Sequence, residues 1–68
     1  MNKFIVVEIQ TDATGNVSTL TYQYDNENDA GAKFHSVLAA AAISALPVHS
    51  CLMFMEDGTP RKWESYRH

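Results

Sequence analysis

The chain has 68 residues, with five Lys or Arg against eight Asp or Glu, and a formal net charge of −3. This length allows one domain, in which folding removes only about 60% of the surface that the unfolded chain exposes. The acidic balance argues against a general nucleic-acid binder. The single cysteine, Cys51, leaves no intrachain disulfide to staple so small a scaffold. A metal, a partner chain or an unusually well packed core must do that instead.

The first apolar run, Phe4 to Val7, is too short for a secretory signal, so a cytoplasmic protein is expected. The β-branched stretch FIVVEIQT, Phe4 to Thr11, predicts a strand. Asp12 to Asn16 predicts a turn, with Gly15 at positive φ. VSTLTYQY, Val17 to Tyr24, then predicts the second strand of an antiparallel hairpin. Asp25, Glu27 and Asp29 stop that strand, and Asn26 or Asn28 can cap a helix over about Asp29 to Ala45, ended by Pro47. The odd-position acids also have calcium-loop spacing. Ala30 and Ser36 stand where that loop needs glycine and glutamate, so capping is the better account.

Val48 to Met55 predicts a third strand, Asp57-Gly58 a hairpin turn, and Arg61 to Tyr66 a fourth strand on an edge that Pro60 can open. The fold class is therefore α+β, ββαββ. A fully antiparallel sheet of order 2-1-3-4 with the helix crossing one face is the economical topology. No Asp, Glu, Lys or Arg occurs between Phe34 and Met55. That length invites a membrane span, but Pro47, His49 and Ser50 interrupt it, and no membrane partner is expected.

On a helical wheel, Ala30, Phe34, Val37, Leu38, Ala41 and Ala45 form the stripe facing the core. The opposite face holds Ala32, Ser36, Ala39, Ala40 and Ile43, where a monomer would show charge. Helix propensity accounts for the alanines but not for the missing charges. This face is therefore the expected contact with a second copy, in a dimer or larger assembly. The third strand is apolar on both sides, with Val48, Ser50, Leu52 and Phe54 opposite His49, Cys51, Met53 and Met55. In the first strand, Phe4 and Val6 oppose Ile5, Val7 and Ile9. A one-helix sheet should be polar on its uncovered side, so the second apolar face is another argument for association.

Residues able to carry chemistry are few. His35, His49, His68 and Cys51 match no compact zinc spacing, although His49 and Cys51 share a strand face. Cys51 inside an apolar strand should have a raised pKa, which disfavours a nucleophile. No catalytic residue, metal or cofactor is expected. Arg61, Lys62, Trp63, Tyr66, Arg67 and His68 mix cations with aromatic faces, a combination suited to a small anionic ligand. The same mixture describes a guarded edge strand.

The run EIQT, the G-x-V-S turn, KFHSVLAAAAISALPVHS and the E-D-G turn resemble a group of small proteins of anaerobic bacteria and their prophages. The resemblance covers nearly the whole chain. It brings no activity and no catalytic residue, and it implies a mobile-element setting in which small domains sequester a ligand or inhibit a host protein. The reading that results is a small non-enzymatic, homo-oligomeric binding protein. A His/Cys metal protein or enzyme and a purely structural dimeric subunit stand as alternatives.

Overall fold

A computed structural model describes residues 3–68. Its elements are β1 (Phe4–Thr11), β2 (Val17–Tyr24), α1 (Glu27–Ala42), β3 (Val48–Met55) and β4 (Pro60–Arg67). The sheet order is β2-β1-β3-β4 and every neighbouring pair is antiparallel, as the sequence predicts. Both hairpin turns use a glycine where the backbone needs positive φ, Gly15 at 89° and Gly58 at 91°. In the first turn Asp12 fixes the loop with its carboxylate, which accepts from the backbone N–H groups of Thr14 and Asn16.

The helix starts and stops earlier than the sequence predicts. Asn26 is the cap: its side-chain oxygen accepts the Asp29 N–H at 2.8 Å, so α1 begins at Glu27 with Glu27 and Asp29 in the positive first turn. At the other end Ile43 leaves helical geometry at φ −112°, ψ 8°, and the Ile43 and Ser44 N–H groups tighten onto Ala40 and Ala41. The carbonyl of Ala41 also accepts from the His68 ring at 2.9 Å. Ala45, read as part of the core stripe, is therefore outside the helix and exposed. Pro47 restricts the residue before it to extended backbone, but the tightened turn has already closed the helix.

Ala30, Phe34, Val37 and Ala41 are the buried helical positions. Their stripe meets Val6, Cys51 and Met53 of the two central strands, with Phe4, Tyr22, Tyr24 and Leu38 around the margin. The side of the sheet under the helix is thus that of Phe4, Val6, Glu8 and Gln10 on β1 and His49, Cys51, Met53 and Met55 on β3. The apparent span from Phe34 to Met55 is divided between α1, the loop and β3. No helix among the described residues is long and apolar enough to cross a membrane.

Candidate functional site

The opposite side of the sheet has no second layer among the described residues. Residues directly opposite in an antiparallel ladder share a face, so the registers fix its membership. Across the two central strands Ile5 lies beside Phe54, Val7 beside Leu52 and Ile9 beside Ser50. On β4, Trp63 lies beside Leu52, Ser65 beside Ser50, and Arg67 beside Val48 at a corner. On β2 the row is Val17, Thr19, Thr21 and Gln23. The face is an apolar band flanked by hydroxyl side chains, with no acidic residue and a single cation. Trp63 is 70% exposed and Val17 63%, whereas Ile5, Val7, Ile9, Leu52 and Phe54 are only half-covered by one another.

The second apolar surface is the outer side of α1. Ala32, Ser36, Ala39, Ala40 and Ile43 are all exposed, Ile43 at 87%. Apart from Ile43, their side chains are small.

The six residues at the C-terminal end do not converge. Strand alternation sends Trp63 and Arg67 to the open face and Lys62 and Tyr66 to the helix side, in register with Met53 and His49. A bulge opposite Met53 and Phe54 leaves Arg61 unpaired in the ladder. Its guanidinium is held by the Glu27 carboxylate at the start of the helix, with Nε at 2.9 Å. His68 lies flat against Tyr66, ring centroids 6.5 Å apart, and closes the last turn of α1. A small anion meeting one copy therefore finds Trp63 and Arg67 on the open face, and Lys62, Tyr66 and His68 on the other.

The histidines and the cysteine are also dispersed. His35 is exposed on the helix, edge-on to Phe34, while His49 and Cys51 lie beneath the helix. No group of three or more His, Cys, Asp or Glu among the described residues is placed to hold a metal. Burial, with the negative charge of Glu8 added, pushes the Cys51 thiol up to about 11, so thiolate is scarce near neutral pH.

A pair that the sequence reading overlooked sits on the covered face. The Glu8 carboxylate accepts from the His49 ring at 2.6 Å and from the Gln10 amide at 2.8 Å. Glu8 and His49 are the buried polar residues among those described. Burial alone would raise the Glu8 pKa; the hydrogen bonds from Gln10 and His49 outweigh it and hold the carboxyl below its ordinary value. His49 Nδ1 is buried without a partner. The His49 side chain is only 5% exposed and that of Glu8 11%, so little of the pair meets solvent. Its signal in the sequence was the placement of Glu8 two residues after Val6, in phase with the inward side chains.

The chain matches no protein-family model, and comparison with curated proteins and with solved structures gave no match.

Proposed function

We propose that the chain is a non-enzymatic binding protein that works as a homo-oligomer, two copies joined through the open faces of their sheets. The observation that carries this reading is the band of Ile5, Val7, Ile9, Leu52, Phe54 and Trp63 on a face without acidic residues. A chain this short gains most from a partner that covers such a band. Strands of eight residues and a four-stranded width give a flat projection of roughly 500 Å² per copy at about 3.4 Å per residue and about 4.8 Å per strand. Two copies then reach the roughly 1,000 Å² that a specific interface needs. Among the described strand residues of this face, Arg67 at a corner is the only charge to be accommodated. The buried, weakly acidic thiol of Cys51 and the scattered histidines are poor material for catalysis.

In such a pair the outer helix faces and the free edges remain outward, where a host protein could be engaged. The small-anion reading divides between Trp63 and Arg67 at the rim of the paired faces and Lys62, Tyr66 and His68, which stay outside them. Sedimentation of the parent, Leu52→Glu and Ala40→Glu tests the proposal. The parent should run well above the 7.6 kDa of one chain. Leu52→Glu should fold and lose mass, and Ala40→Glu should keep the parent's mass. A parent of one-chain mass, or Leu52→Glu at the parent's mass, overturns it. Loss of mass by Ala40→Glu alone would move the contact to Ala32, Ser36, Ala39, Ala40 and Ile43.

A further inference from the structure

The two edges of the sheet differ. β4 opens on Pro60, is bulged at Arg61 and carries Lys62, Glu64 and Arg67, the devices by which edge strands resist pairing. β2 has none of them. Its sequence VSTLTYQY has no charge and no proline, and it pairs with β1 in unbroken register from Thr11↔Val17 to Phe4↔Tyr24.

The direction of its backbone groups follows from the turn. The Asp12 N–H donates to the Asn16 carbonyl at 3.0 Å, which makes Asp12 and Asn16 a hydrogen-bonded pair of the ladder. Such pairs alternate with non-bonded ones. Ser18, Leu20, Tyr22 and Tyr24 therefore turn their N–H and C=O groups to β1, and Val17, Thr19, Thr21 and Gln23 turn theirs outward. The result is a straight row of donors and acceptors along the free edge, left to water in a single copy.

We infer that this edge pairs antiparallel with β2 of a second copy, joining two four-stranded sheets into one continuous sheet. A second copy is the occupant that the charge pattern fits. Twofold pairing lays a strand against itself, so any charged residue would be brought near its own like. β2 brings only Val, Leu, Ser, Thr, Gln and Tyr side chains together. Charges flanking the strand are already engaged: Asp12 with Thr14 and Asn16 in the turn, Asp25 with Lys3, and Lys33 over the Tyr22 ring at 4.1 Å. The contact lies in the plane of the sheet, at right angles to face-to-face pairing, and does not depend on it. Where both form, the assembly holds four chains.

The test combines sedimentation with amide exchange. Thr21→Pro removes an outward N–H and leaves the ladder with β1 whole. It should keep the circular dichroism of the parent and halve its mass. In the parent, the Thr19 and Thr21 amides should exchange as slowly as those of Leu20 and Tyr22. Fast exchange at Thr19 and Thr21 under oligomeric conditions overturns the inference, as does folded Thr21→Pro at the parent's mass. If Thr21→Pro does not fold, exchange in the parent decides alone. Leu52→Glu separates the two contacts: if it loses mass but keeps slow exchange at Thr19 and Thr21, both stand. If it keeps the parent's mass and Thr21→Pro falls to one chain, the edge contact stands and the face contact fails.

Discussion

The two faces of this sheet are built from the same two central strands and differ in what lies over them. Under the helix, Val6, Cys51 and Met53 are closed off from solvent. On the other side Val7, Leu52 and Phe54 are just as apolar, yet half-exposed. Composition therefore does not distinguish the face that holds the fold together from the face available for contact. The difference comes from the placement of one helix, which gives substitutions on one side a cost in stability and on the other a cost in association.

The largest effect is expected on the covered face. Phe34→Ala should destabilise the fold by about 3–5 kcal/mol, a large share of what so small a domain has. Leu52→Ala should change the denaturation midpoint of the dissociated chain far less. Equal losses for both variants at low protein concentration would break the contrast.

Next comes the buried pair. Glu8→Ala leaves a buried polar ring atom of His49 without its partner beneath the helix and should cost about 1–3 kcal/mol. Glu8→Met combined with His49→Leu should recover much of that loss, since replacing both partners of a buried polar pair by apolar groups leaves no group unsatisfied. The pH dependence follows from the lowered carboxyl. The stabilisation from Glu8 is fully present above its ordinary value of 4.5 and disappears as the pH falls through the still lower folded value. Denaturant titration from neutral to acid pH should show a larger loss in the parent than in the double variant, which keeps the lowered carboxyls of Asp12, Asp25 and Asp57.

Cys51 provides a probe of the same cover. Its thiol should react slowly with a thiol reagent in the native protein and quickly once unfolded, and rapid native labelling would mean that the helix does not close this face. The smallest effect belongs to the cap. Asn26→Ala removes the bond to Asp29 that starts the helix and should cost about 1 kcal/mol in thermal or chemical denaturation.

β1 and β2 were legible as β-branched runs on either side of the Gly15-Asn16 turn, and β3 and β4 as the two arms of the Asp57-Gly58 turn. The helix ends were less so. Asn26 and Asn28 are equally good caps by residue type, and only the backbone shows that Asn26 accepts from Asp29. The C-terminal residues read as one basic and aromatic patch because composition ignores direction. The period-two rule that separates the two sides of β3 also separates Trp63 and Arg67 from Lys62 and Tyr66. The Glu8–His49 contact needed the register between β1 and β3, which sets Glu8 opposite Cys51 and Gln10 opposite His49. Nothing local to either strand specifies that alignment.

That central alignment also bears on how fast the chain can fold. Each hairpin is closed by a short turn and can form on a timescale of roughly 1–10 μs. The β1–β3 ladder instead joins Phe4 to Met55 and Thr11 to Val48, so its partners must find one another across most of the chain. Closing so long a loop is entropically uphill until several contacts form together. The rate-limiting encounter should be the docking of two preformed hairpins along their inner edges, with the helix condensing over the seam. Substitutions along that seam should slow refolding, and substitutions in the Gly15 or Gly58 turns should change the rate less.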